Sequence, residues 1–295
     1  MARDLLVSIC NVAADPRPSC LLRLDVESQR AEWVDTGVGE PLVSGAGICT
    51  DDDHVYHVGV LRSGFSTVLS ILERRSLAVV HVQRLDEVDD AHSVARQGDE
   101  LFVVSTGTDE IVAYRLDGLK ATDARVAWSP TGSGRDTHHV NSLVVADGEL
   151  LCSAFGAKEG DSWTSARRGY IHNVTRDTVV VQGLRQPHTA SWHDGTLFFC
   201  NSLEGSVNTS EGAIAFLAGY SRGLAFGPEG VVYAGTSVSR RPTADTDEGD
   251  VFMNPSDEGD LRGQCAVVRL STHGGHRVEI GMRSFGLEIY DIVVA

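Results

Sequence analysis

Three histidines, His92, His139 and His188, lie far apart in the chain, and each stands just ahead of an apolar run, a Gly/Asp turn and a second apolar run. Imidazole exchanges protons near neutral pH and is the commonest metal ligand, so its recurrence at matched positions points to chemistry. Three imidazoles with a carboxylate nearby suit one divalent cation, Zn, Mn, Fe or Ca, and His92, His139 and His188 are the candidate ligands. Without a metal, the same neighbourhood can run acid–base catalysis. His139, Tyr290, Arg222 and Asp291 are then the candidate catalytic groups. Tyr290 or one histidine transfers the proton, and Arg222 orients a carboxylate or phosphate. Asn141, Arg222, Arg240 and Glu288 are candidates to hold the substrate. A structural alternative stays open, in which these polar groups bond one another and the backbone and pin neighbouring elements together.

Positioning such scattered residues requires a repeat. Five segments read as strand, turn, strand: "GAGICTDDDHVYHVG", "AHSVARQGDELFVVS", "NSLVVADGELLCSA", "HTASWHDGTLFFCN" and "GLAFGPEGVVYAG". The residues that open their second strands, Val55, Leu101, Leu150, Leu197 and Val232, are spaced by 46, 49, 47 and 35. That period matches one four-stranded propeller blade. The C-terminal "EIYDIVVA" and the N-terminal "DLLVSICN" complete a sixth unit, with "SCLLRLDV" and "AEWVDTG" as its outer strands. The expectation is one all-β domain over 1–295, a six-bladed β-propeller whose ring is closed by pairing the C-terminal inner strand with the N-terminal strands. Innermost strands line the axis of such a ring. Counting back nine residues from Leu101, Leu150 and Leu197 reaches His92, Asn141 and His188, and two residues earlier lie Asp90, His139 and Gln186. The period of two along a strand predicts that His139 and Asn141 share a face while His138 points away. Tyr220, Ser221 and Arg222 in the next unit, and Glu288, Tyr290 and Asp291 in the closing one, occupy the equivalent place. The other histidines, His54, His57, His81, His172, His193, His273 and His276, read as surface residues.

The segment 236–264 interrupts the period and is rich in Gly, Pro, Asp and Ser, so it reads as a long loop. It is either a lid over one mouth or a structureless insertion. Arg240 lies on it.

Composition removes several classes. Asp and Glu outnumber Lys and Arg 41 to 25, for a net charge of −16, which repels a phosphate backbone and makes nucleic acid a poor partner. No stretch is long and apolar enough to predict a membrane span, and "MARDLLVSICNV" is a poor secretion signal. Six cysteines without a C-x-x-C pair read as reduced core thiols of a cytoplasmic protein. There is no G-x-S-x-G elbow, phosphate loop or dinucleotide fingerprint, so no nucleotide cofactor is expected. Oligomeric state leaves no trace in the sequence.

The pieces "DAHS" at 90–93, "HVNSLVVADG" at 139–148, "QPHTASWHDG" at 186–195, "YSRGLAF" at 220–226, "QCAVVRL" at 264–270 and "EIYDIVV" at 288–294 resemble, in order, a bacterial family of propeller-like proteins carried as a domain of unknown function. The chain departs from that pattern at Ser93, where the family tends to have Asp, and at "GTDEIV" over 107–112. More distantly it resembles six-bladed propellers of the gluconolactonase and amidoglycolate-lyase type, which implies a divalent metal on the axis. Two functions follow as expectations. One is an enzyme performing lyase, hydrolase or isomerase chemistry on a small polar or anionic substrate. The other is a non-catalytic propeller that binds a protein or glycan partner through Trp33, Trp128, Trp163 or Trp192.

Overall fold

The computed structural model describes residues 4–10, 19–238, 264–271 and 277–295. Among these the chain is all-β, with twenty-four strands and three single-turn 3-10 segments. Asp-Gly turns set the short hairpins as the sequence implies. Asp147 and Gly148 both have positive φ, 49° and 81°, and join Ala146 to its partner Glu149. Asp194 and Gly195 repeat this at 47° and 73° between His193 and Thr196. Two consecutive positive-φ residues match the right-handed twist of the strands they connect.

Four sheets have four antiparallel strands each. One contains β8 (Ala91–Gln97), β9 (Glu100–Ser105), β10 (Glu110–Asp117) and β11 (Lys120–Trp128). The next contains β12 (Val140–Ala146), β13 (Glu149–Ala154), β14 (Gly169–Asn173) and β15 (Thr178–Leu184). The third contains β16 (Pro187–His193), β17 (Thr196–Asn201), β18 (Ser206–Thr209) and β19 (Gly212–Phe216). The fourth contains β20 (Tyr220–Phe226), β21 (Val231–Ser237), β22 (Ala266–Ser271) and β23 (Val278–Gly281). The remaining strands form one eight-stranded sheet. Its first part is β1 (Asp4–Cys10), β2 (Leu21–Asp25) and β3 (Arg30–Trp33), with β24 (Glu288–Val294) paired to β1. Its second part is β4 (Leu42–Thr50), β5 (His54–Leu61), β6 (Ser66–Glu73) and β7 (Val79–Asp89). A single residue pair, Cys10 with Ser44, joins the two parts. This merger departs from the six separate units expected. Its cause is local: a Cβ on Gly45 would sit 2.5 Å from Ser8 Oγ and 2.8 Å from the Cys20 carbonyl, so only glycine lets β4 come this close to β1.

The first strands contact one another in a cycle, β24 to β4, β8, β12, β16, β20 and back to β24. The apolar core is divided to match. Leu101, Val103 and Val112 pack with Tyr56, Leu69 and Ile71. Val140, Leu150 and Cys152 pack with Val104 and Ile111. Leu197 and Phe199 pack with Leu151 and Ile171. Val232 and Ala234 pack with Cys200 and Val207. Ile289 and Ile292 join Leu5 and Val7 against Val267 and Tyr233. Leu6 and Leu21 pack with Val55 and Leu72. All six cysteines are free, and all but Cys49 are buried. Two residues expected at the surface are buried: His57, 1% exposed, under β4, and His172, 8% exposed, stacked 4.8 Å from Trp128. Both sit on strands covered on two faces, which a local pattern of polar neighbours does not disclose. No helix among the described residues is long and apolar enough to cross a membrane. Of the insertion expected over 236–264, with its lid reading, Thr236 and Ser237 belong to β21, and 239–263, Arg240 included, lie outside the described residues.

Gly47 repeats the close approach on the other side of β4, where a Cβ would meet Ser93 Cα at 2.5 Å and Val94 N at 2.6 Å, both backbone atoms. Gly47→Ala is therefore expected to lower the unfolding free energy by about 1–3 kcal/mol. Gly39→Ala, where nothing lies within 4 Å, should leave it unchanged. Urea midpoints of the two variants and wild type check this.

Candidate functional site

Each first strand carries a bulge at corresponding positions against its neighbour. The ladder slips between Gly45 and Ile48, Ala91 and Val94, Val140 and Ser142, His188 and Ser191, and Arg222 and Leu224. On β24 it slips past Tyr290, since Ser8 pairs with Asp291 and Ile9 with Ile289. A bulge leaves a residue out of the ladder and re-aims its side chain. His92, Asn141 and Tyr290 lie within these slips, and His188 and Arg222 border them. Just ahead of three of these strands, Asp90, His139 and Gln186 are left-handed, with φ of 51°, 54° and 53°. His139 thus precedes β12 and is presented by a turn. The shared strand face expected for His139 and Asn141 is not how they come together.

That turn is anchored by Asp109, a fully buried carboxylate the sequence reasoning missed. It accepts the backbone N–H of Thr137 (2.6 Å), His138 (2.6 Å) and Val140 (3.1 Å) and the Thr137 hydroxyl (2.8 Å). The signal available was an Asp before a strand in "GTDEIV", a pattern common to many turns.

Seven side chains close a belt. His92 meets His139 edge-on at 5.1 Å. His139 lies 4.4 Å from Phe155, which lies 5.0 Å from His188. His188 meets Tyr220 at 5.3 Å. The Arg222 guanidinium lies 4.9 Å from the Tyr220 ring and 5.2 Å from the Tyr290 ring. Tyr290 meets His92 at 5.4 Å. Trp163, one of the tryptophans offered for a protein or glycan partner, packs 4.8 Å from His139 and is buried. Phe155 was missed; the clue was an aromatic in a Gly- and Ser-rich stretch.

Partners assign the protonation of the imidazoles. His92 Nδ1 lies 3.0 Å from the Asp90 carbonyl and His188 Nδ1 3.1 Å from the Gln186 carbonyl. A carbonyl only accepts, so both Nδ1 atoms carry hydrogen and both Nε2 atoms present a lone pair. His139 Nδ1 donates likewise to the Asp136 carboxylate at 3.1 Å. Burial pushes His92 down to about 4, with the Asp90 carboxylate working against it. Burial, reinforced by Arg222, also holds His188 well below its ordinary value. Arg222 pairs with Glu288 at 3.0 Å, and Cys10 donates to the same carboxylate at 3.3 Å. The guanidinium expected to orient an anion thus has a buried counter-charge beside it. The amide of Asn141 is taken up by the carbonyls of His139 (3.2 Å) and Pro187 (3.0 Å) and by the Ser153 hydroxyl (2.6 Å), so it ties neighbouring sheets together. Burial raises Tyr290 well above 10 and keeps its hydroxyl protonated. Burial also raises Asp291 to about 7, against the N–H groups of Ile48 and Ile292 that bond its oxygens at 3.0 and 2.9 Å.

Next to the belt lies a cavity of about 450 Å³ lined by His92, Asn141, His188, Tyr290 and Asp291 and running toward Arg96 and Trp192. His188 Nε2 and Tyr290 Oη are buried and have no hydrogen-bond partner among the described residues. His92, His139 and His188 do not form the metal-ligand set expected of them. Phe155 stands between His139 and His188, and among the described residues no three His, Cys, Asp or Glu side chains are placed to share a cation. Calcium would further require oxygen ligands, whereas the belt offers imidazole nitrogen.

Solved structures of similar shape place this architecture among propeller-like proteins. A chain of a nidogen/laminin complex superposes with a TM-score of 0.63 at 12% identity, covering 98% of this chain and 97% of that one. A protein from Bacteroides fragilis NCTC 9343 assigned to the 6-phosphogluconolactonases gives 0.54 at 12% identity, with 98% and 97% covered. The calcium-binding protein regucalcin from Agrobacterium tumefaciens C58 gives 0.52 at 14%, with 80% and 73% covered. At these identities the likeness is one of fold. No curated protein matches the chain in sequence. The chain belongs to the family DUF4915, a domain of unknown function, whose profile matches residues 79–295.

The raised carboxyl of Asp291 and the depressed imidazoles act on stability in opposite senses. The Asp291 contribution is fully present below its ordinary 3.8 and is lost as pH rises through about 7. Those of His57 and His92 are present above 6.5 and are lost as pH falls through about 4. Relative to wild type, Asp291→Asn is expected to gain on the order of 2 kcal/mol between about pH 4 and about pH 8. Urea unfolding of both proteins at the two pH values measures the change.

Proposed function

We propose that this chain is a six-bladed propeller formed by one domain over 1–295, its ring closed by β24 on β1, and that it is an enzyme working in the axial cavity on a small polar substrate. The cycle of contacts among the first strands and the division of the core into inter-sheet clusters support the ring. One observation carries the site: His188 and Tyr290 both line one cavity, and each holds a buried polar atom, Nε2 and Oη, without a partner among the described residues. Buried polar groups are nearly always hydrogen-bonded, so two orphans in residues that border one cavity support a site there.

The chemistry is proton transfer. His188, held as the Nδ1–H form, takes a proton from a substrate hydroxyl or an activated carbon. Tyr290 donates its O–H to the oxygen on which charge develops. Arg222, over the Tyr290 ring, lowers the cost of that charge. Asp291, with its carboxyl near neutrality, is placed to exchange the proton with solvent. This scheme serves isomerase, lyase or hydrolase reactions and routes no step through a metal. The free thiols and the acidic surface suit a reducing cytoplasm and a partner other than nucleic acid or membrane.

A second reading has its own observation. Phe216 and Ile214 on β19 and Val179 and Val180 on β15 are exposed on neighbouring outer strands, which suits binding of a protein partner through the rim.

Purified protein offered hydroxy-carbonyl, lactone and hydroxy-acid substrates should turn over one class. His188→Ala and Tyr290→Phe should each reduce kcat/KM by about 10²–10⁴. Wild-type rates in both variants, or no turnover of any class, would overturn the enzymatic reading in favour of the rim.

A further inference from the structure

Asp291 occupies a place that the other joins between first strands fill without a carboxyl. The residue after His92, Asn141 and His188 carries a hydroxyl in each case, and that hydroxyl accepts a main-chain N–H from the next first strand. Ser93 accepts from Leu143 (3.0 Å), Ser142 from Ala190 (3.1 Å) and Thr189 from Gly223 (2.9 Å). After Arg222 the corresponding residue is Gly223, and on β4 it is Gly47. A Cβ on Gly223 would lie 3.0 Å from Ile292 N and one on Gly47 2.6 Å from Val94 N, so these two joins are made with no side chain at all. After Tyr290 comes Asp291, which accepts the Ile48 N–H at 3.0 Å.

A join between first strands thus asks for one acceptor oxygen or for none. Asp291 brings two oxygens and an ionisable proton, and enclosing a carboxyl costs more than enclosing a hydroxyl. Burial lifts it to about 7 even though the N–H groups of Ile48 and Ile292 bond its oxygens. The titratable and charged groups around it are settled at that pH. Burial keeps His92, His188 and, on β5, His57 as neutral rings. It also holds Tyr290 and the Cys49 thiol on β4 protonated, and pushes Cys200 on β17 up to about 12. Arg222 on β20 is paired with Glu288, and Arg96 on β8 with Asp51. Asp291 lies deep in the protein yet keeps part of its surface open, and the space it lines is the cavity. A carboxyl that gains and loses its proton near neutrality on a cavity wall is matched to acid–base chemistry.

We infer that Asp291 is the proton-exchanging carboxyl of the cavity, open to the molecule that occupies it, and that the join between β24 and β4 does not require it. This rests on the cavity being the working site and deepens that reading, since Asp291 then acts on the ligand and not only on solvent.

Diisopropylcarbodiimide, an uncharged reagent small enough for a cavity of about 450 Å³, tests this without a substrate. A protonated carboxyl adds across its C=N bond: the carboxyl oxygen bonds to the central carbon, the proton goes to a nitrogen, and nothing is released. Peptide mass mapping should find Asp291 modified at about pH 6 and at least about tenfold less modified at about pH 9. Asp291→Ser, which puts at this join the hydroxyl used at the others, and Asp291→Asn should each unfold at no lower urea than wild type at about pH 8. Each should lose about 10²–10⁴ in kcat/KM. No label on Asp291, lower urea midpoints in both variants, or wild-type turnover in both where His188→Ala loses it would overturn the inference. The enzymatic reading fails separately. A labelled Asp291 and two stable variants, with no turnover of any substrate class by wild type, would remove the enzyme and keep the proton-exchanging carboxyl.

Discussion

The second strand of every four-strand unit is buried on both faces. β1, β5, β9, β13, β17 and β21 show at most one partly exposed residue apiece, at their first position. A sheet that is apolar on both sides must be covered on both sides, and here the only cover available is another sheet. That requirement sets neighbour against neighbour, distributes the core into inter-sheet clusters and brings the first strands into contact with one another. The outermost strands escape it: β15 and β19 expose most of their residues.

Convergence of the first strands creates a difficulty that the belt residues resolve. Polar side chains brought together there lose water and must find partners in the protein. Most do so. Glu288 pairs with Arg222, Asn141 spans two carbonyls and a hydroxyl, and Asp109 gathers three N–H groups. His188 Nε2 and Tyr290 Oη lack such partners among the described residues, and both residues border one cavity.

Much of this was legible before any coordinates. Asp-Gly turns at 147–148 and 194–195 and the apolar runs around them announced the hairpins, and their spacing announced the repeat. Counting back from the turns singled out His92, Asn141 and His188, all of which line the cavity. The same counting erred at His139, because period-two reasoning assumes a continuous pleat and a left-handed residue interrupts it there. It also treated all three imidazoles as equivalent ligands. Whether Phe155 stands between two of them depends on a connection whose path has no period to read.

The amino-acid order by itself determined the strands, their turns and the level at which polar residues recur, because these follow from local alternation and turn chemistry within a few residues. Only the tertiary structure decided which polar groups remain unsatisfied. Arg222 and Glu288 are 66 residues apart and Cys10 and Glu288 are 278 apart, and nothing local links them. The same holds for burial. His57 and His172 look like surface residues in their own segments and are enclosed by sheets contributed from elsewhere, since cover on a second face comes from chain that the first has no knowledge of.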